Sequence, residues 1–144
     1  MDIGTRAVND VMKFLMKNYP PPHWKVENVS TNKRGDKKNN SGFDIKLIRG
    51  KKVKKIEVKG STKENGIPDA FQTEFDKNLK LIADYIYVVR YKNNNNRTKH
   101  KIYVIKKSDV DRYTHQMVYH IKISNKLKKD LDKHPEKYKW KKNL

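Results

Sequence analysis

The sequence predicts an α/β (α+β) domain, a central mixed β-sheet flanked by helices, and three features of its apolar pattern point that way. Val8, Val11, Met12 and Leu15 recur at helical spacing near the N-terminus. Two alternating runs, Phe43 to Ile48 and Val53 to Lys59, flank the short polar segment Arg49-Gly50-Lys51-Lys52, the pattern of a hairpin. Finally, Phe71, Phe75, Leu79 and Ile82 suggest a second helix, followed by the apolar strand Asp84 to Tyr91.

Taken in order, residues 3 to 17 form the first predicted helix, stopped by Pro20-Pro21-Pro22. Trp24 to Val29 reads as a first strand, and the polar stretch Ser30 to Ser41 as a loop. The hairpin follows, then a loop over Gly60 to Asp69 and a helix over Phe71 to Ala83. Asp84 to Tyr91 is the most apolar strand and is expected in the middle of the sheet. The run Asn93 to Asn96 reads as an exposed loop, Ile102 to Ile105 as a further strand, and Ser108-Asp109 as the cap of a short helical turn. Val118 to Ile123 alternates and reads as an edge strand. A basic helix from Lys126 to Lys142 is expected to break at His134-Pro135. The length, 144 residues, suits one domain: a core over about 1–106 and a basic C-terminal extension over about 107–144.

Charge narrows the partner. Lys and Arg number 35 against 16 Asp and Glu, a formal net charge of +19. Such an excess repels itself and favours a polyanion, with nucleic acid ahead of an anionic membrane surface. No apolar run approaches a membrane span. Lys far outnumbers Arg, and a flexible ammonium suits phosphate contact better than it suits reading base edges. The absence of cysteine rules out disulfides, thiolate zinc sites and a Cys nucleophile. The N-terminal residues lack the basic-then-apolar layout of a secretion signal, so a cytoplasmic protein is expected. The five histidines show no paired metal-ligand spacing, and neither a glycine-rich phosphate loop nor a Gly-x-Ser-x-Gly elbow occurs.

The chemistry-bearing stretch is Gly42-Phe43-Asp44-Ile45, followed across the turn by Ile56-Glu57-Val58-Lys59-Gly60. Residues two apart on a strand share a face, so Glu57 and Lys59 project together while Ile56 and Val58 point into the opposite layer. Asp44 lies on the adjacent strand. Two carboxylates, helped by the Val58 carbonyl, supply hard oxygen ligands for Mg²⁺ or Mn²⁺. Such a metal polarises a phosphoryl oxygen and acidifies bound water, and a nearby amine orients that water or offsets charge on the phosphate. A lone Glu-x-Lys is a weak pattern, because alternating charge on a solvated strand produces it freely; the combination with an Asp in an apolar strand is what gives it weight.

These residues, with the order helix, three strands, helix, strand, resemble the PD-(D/E)xK nuclease superfamily, whose restriction-endonuclease-like core is α-βββ-α-β. The resemblance covers roughly residues 1–106 and implies a metal-dependent endonuclease acting on DNA. It assigns Asp44 and Glu57 as metal ligands and Lys59 as catalytic. The expected biological setting is restriction or DNA defence, with junction resolution and repair as alternatives. Many members carry a Glu on the first helix; this chain has Val8 or Asn9 there, and Asp10 is the nearby acid, a candidate further ligand. The motif's Pro is absent before Asp44. Gln72 matches a position where relatives place a polar residue near the metal water or substrate. Ser61, Thr62 and Lys63 follow the catalytic strand and are candidate phosphate contacts. A duplex substrate has two strands to cut, which a homodimer would serve. Two rival expectations are a nuclease-fold module that only binds DNA and a basic RNA-binding protein. In the tail, Tyr138 and Trp140 are read either as anchors docking on the domain or as stacking groups of a phosphate-tracking arm.

Overall fold

The computed structural model describes residues 2–30, 42–62, 72–73, 81–92, 99–113, 121–122 and 125–141. Helix α1 spans Ile3–Asn18. It starts where the Asp2 carboxylate accepts from the Thr5 amide at 2.8 Å, satisfying one of the amides that lack a partner within the helix. Its buried residues, Ala7, Val8, Val11 and Leu15, fall on one face as their spacing predicts.

Five strands form the main sheet: β1 (Lys25–Asn28), β2 (Ile45–Arg49), β3 (Lys52–Ser61), β5 (Tyr85–Tyr91) and β6 (His100–Lys106), in the order β1-β2-β3-β5-β6. The intervening β4 (Gln72–Thr73) belongs to a separate two-stranded pair. All neighbours in the main sheet are antiparallel except β3 and β5, which run parallel, so the sheet is mixed as predicted. Arg49 pairs with Lys52, leaving a two-residue turn whose first member, Gly50, has φ +58°, a conformation that side chains disfavour. The Val-rich β5 lies between β3 and β6, the interior position its apolar run predicts.

Alternation along these strands divides the core into two layers. Ile45, Leu47, Ile56, Val58, Tyr87, Val89 and Tyr91 pack with α1 on one face. Ile86, Val88, Tyr103 and Ile105 pack on the other with Leu81, Val110, Leu127, Leu131 and Tyr138. The second layer is built by α2 (Lys107–Tyr113), α3 (Asn125–Lys133) and a 3-10 turn at Pro135–Tyr138. Gly60 marks the closest approach of α1 to β3. A Cβ there would come within 2.9 Å of the Ile3 carbonyl oxygen and 3.1 Å of the Ala7 Cβ.

Two sequence expectations are corrected. The helix expected over Phe71 to Ala83 is not seen where its residues are described: Gln72–Thr73 is extended and pairs antiparallel with β7 (Ile121–Lys122). At the other end Asp84 is pinned to the sheet. Its amide donates to the Lys55 carbonyl at 2.8 Å and its carboxylate accepts from the Lys55 amide at 2.8 Å, contacts that end any helical path before β5. Residues 74–80 lie outside the described set. Of the expected strand Val118 to Ile123, Ile121–Lys122 is extended, but it pairs with β4 and not with the main sheet. The expected Asn93 to Asn96 loop also lies outside the described residues. The break at His134-Pro135 occurs as predicted, α3 ending at Lys133.

Candidate active site

Glu57 and Lys59 occupy alternate positions on β3, on the face away from α1, because Ile56 and Val58 take the positions toward it. The Lys59 Nζ lies 2.6 Å from Glu57 Oε1. Both side chains are partly sheltered, at 28% and 12% exposure respectively, so their attraction is less screened than that of a surface pair.

Asp44 joins them through the backbone. Strand β3 has ten residues and β2 five, so β3 runs on beyond its neighbour. Asp44 sits just before β2, where its amide donates to the Ile56 carbonyl at 2.9 Å. Its Oδ2 accepts from the Val58 amide at 2.8 Å. The two contacts bracket Glu57, holding Asp44 against the stretch of β3 that carries it. The Asp44 carbonyl in turn accepts from the Val29 amide at 2.8 Å, which ties the segment to the end of β1. An ionised carboxylate has about four lone-pair sites, so a bond accepted from one amide does not exhaust its ligating capacity. The donor set of Asp44, Glu57 and the Val58 carbonyl, all oxygen, fits a hard divalent cation. Among the described residues no group of three or more His, Cys, Asp or Glu side chains converges.

The remaining candidates are placed differently. Asp10 is carried by α1, which packs on the opposite face of the sheet from Glu57 and Lys59. Its Oδ2 accepts from the Tyr91 hydroxyl at 2.6 Å and lies 3.8 Å from Arg6 Nε and 3.9 Å from His100 Nδ1. Tyr91 is five residues along β5 from Ile86, the partner of Glu57, which is roughly 16 Å of strand. Asp10 is therefore not brought to the cluster; it anchors α1 to the far end of β5. Burial is the main force raising the Tyr91 pKa, followed by the Asp10 contact, so its hydroxyl remains a proton donor. Val8, which with Asn9 stands where the sequence resemblance leads one to expect an acid, is buried in the core. Ser61 ends β3 on the Glu57 face and is buried, and Thr62 beyond it is exposed. Gln72 lies in the small β4–β7 pair, outside the main sheet. Lys63 falls outside the described residues.

Arg90 is a residue that sequence reasoning missed. It pairs with Ser61 across β3 and β5, in phase with Ile86 and Val88, which puts a second cation on the Lys59 face. Its guanidinium donates to Asp132 at 2.7 Å and lies 5.2 Å from the centre of the Tyr103 ring. The Arg90 Nε is buried with no acceptor among the described residues. The available signal was an Arg in phase with apolar residues on a central strand, a costly placement without a partner.

No family model and no curated protein matches the chain. Among solved structures its fold is similar to that of Hjc, a Holliday junction resolvase from the archaeal hyperthermophile Archaeoglobus fulgidus. The two share 15% sequence identity at a TM-score of 0.47, over 88% of this chain and 92% of that one.

Proposed function

We propose that the chain is a metal-dependent endonuclease hydrolysing DNA phosphodiester bonds at Asp44, Glu57 and Lys59. One observation carries the proposal: an ammonium and a carboxylate paired at 2.6 Å on one strand, with a second carboxylate clamped to the amide between them. Asp44, Glu57 and the Val58 carbonyl would hold Mg²⁺ or Mn²⁺. When bound, such an ion supplies Lewis acidity toward the phosphoryl oxygen and lowers the pKa of coordinated water. The chain's own groups do the rest. Glu57 fixes the Lys59 ammonium, so the cation is oriented before substrate arrives. Lys59 donates to a non-bridging phosphate oxygen and offsets the charge that grows as water adds to phosphorus and the sugar oxygen leaves. The +19 charge holds the DNA backbone without demanding a base sequence.

The test is incubation of the purified protein with supercoiled plasmid and with a synthetic four-way junction, each with Mg²⁺, Mn²⁺ or EDTA, beside Lys59→Ala and Glu57→Gln. Metal-dependent cutting lost in both variants is the expected result. A second reading, a nuclease-fold module that binds DNA without cutting it, is favoured by the burial of Val8 and the tethering of Asp10 to Tyr91. Retained binding with no cutting under any of these conditions would establish that reading instead.

A further inference from the structure

The C-terminal segment crosses from one face of the sheet to the other. Tyr138 is buried in the layer with Leu127 and Leu131. Lys139 then bridges Tyr103 at the β6 edge, and Trp140 packs in the layer that contains α1. There its ring meets Phe14 edge-on at 5.2 Å and Tyr19 at 6.2 Å, and its Nε1 donates to the Tyr19 hydroxyl at 3.3 Å. Trp140 is only partly buried, and a concavity opens on each side of it. One, of about 370 Å³, includes Tyr85, Val104 and Lys106 in its walls. The other, of about 290 Å³, is walled by Phe14, His100 and Ile102. Because His100, Ile102, Val104 and Lys106 are alternate residues of β6, the two hollows form one groove along that strand.

The groove is basic as well as aromatic. Lys106, Lys137, Lys139 and Lys141 line its larger hollow against a single carboxylate, Asp109. Lys137 and Lys139 are paired with Asp130 and Glu136. Lys106 and Lys141 are exposed and enter no ion pair among the described residues. Aromatic rings interleaved with cations along a groove suit a nucleic acid whose bases are unstacked, since every base has a face to stack and every linkage a charge to neutralise. A duplex keeps its base faces covered and offers nothing to a recessed indole. The hollows fall near the small end of the size range that accommodates small ligands, enough for a base but not for a duplex.

We propose that this groove binds single-stranded nucleic acid, with Trp140 stacking on an unpaired base and Lys106 and Lys141 holding the neighbouring phosphates. It lies on the face opposite Glu57 and Lys59, so it is a second nucleic-acid site and does not depend on whether that cluster cuts.

The experiment measures binding of the full chain to a labelled oligodeoxythymidylate and to a duplex of equal length, in EDTA so that no metal-dependent cutting intervenes. A Trp24→Phe background leaves Trp140 as the only indole and keeps an aromatic ring against Tyr19. The single strand is expected to quench Trp140 fluorescence, and the duplex is not. Lys106→Glu with Lys141→Glu should weaken single-strand binding about tenfold or more, beyond the loss from the same charge change at the exposed Lys51 of the β2–β3 turn and Lys52 beside it. Unquenched Trp140 overturns the proposal. So does a loss no larger than that of the Lys51 and Lys52 control, or an equal loss for duplex, because either means that only overall charge matters. Protection of Trp140 that grows with protein concentration in the absence of DNA would also overturn it, assigning the groove to a second copy of this chain.

Discussion

The acid at position 44 does two jobs that substitution can separate. Its carboxylate accepts from the Val58 amide, which β3 presents beyond the end of β2, and in the proposed chemistry it also contributes negative charge to a cation site. Asp44→Asn keeps an acceptor for that amide and removes the charge. It is expected to unfold at nearly the wild-type temperature while losing metal-dependent cutting. Asp44→Ala removes both functions and leaves an amide in a buried stretch of strand without its acceptor, at a cost of about 1–3 kcal/mol. Thermal unfolding beside plasmid cleavage checks the pair, and equal destabilisation by Asn and Ala would show that the hydrogen bond does not depend on Asp44 as described. At this scale the sequence was informative about Glu57 and Lys59, because strand alternation alone fixes a shared face. It was less informative about Asp10. Helical phase turned that residue off the apolar face, yet only the fold reveals the Tyr91 hydroxyl that takes its carboxylate.

Elements meet at contacts that a single methyl or proton can disturb. Gly60 lets α1 lie against β3, and Gly60→Ala forces its Cβ to 2.9 Å from the Ile3 carbonyl, which is main chain and yields only if the helix moves. A loss of about 1–3 kcal/mol is expected, read as a lower unfolding temperature. An unchanged temperature would mean that the helix can shift freely. Between α3 and the 3-10 turn, Asp130 accepts from the Tyr138 hydroxyl and from Lys137 at 2.9 Å. These bonds, Tyr138 first, hold its carboxyl below the ordinary value of 3.8. A lowered folded-state pKa stabilises above the unfolded value, and that contribution fades as pH falls through the folded one. Tyr138→Phe removes the largest cause, so release of this segment, followed by Trp140 fluorescence during acid titration, should shift to higher pH. No shift would discount the Tyr138 bond. The helices and strands with clear periodicity, α1, β2, β3 and β5, were legible in the sequence to within a residue or two. The ends of the expected helix over Phe71 to Ala83 were not, because its apolar spacing says nothing of the Ile121–Lys122 pairing that makes Gln72–Thr73 extended or of the Lys55 contacts that fix Asp84.

For the whole molecule, the dominant quantity is the net charge of +19, which is legible without any fold. The fold adds where the charge goes. Lys59 and Arg90 share one face of the sheet, and Lys106 and Lys141 border the groove on the other. In the proposed function, lysines distributed in this way neutralise phosphates over an extended surface and release the counterions condensed on DNA. Duplex affinity in EDTA should therefore fall steeply and linearly on a log–log plot against salt concentration. Engagement of about six phosphates predicts a roughly thousandfold loss between about 50 and 200 mM salt. Reversing Lys51 and Lys52 should flatten the slope by at most the two contacts they can supply, while leaving proposed metal-dependent cutting of a saturating substrate unchanged. A slope near zero would break the link between composition and partner, because it would mean that the excess lysine meets no phosphate. A steep slope that survives substitution of every lysine bordering the groove would place the duplex on the Lys59 face and leave the groove to unpaired strands alone.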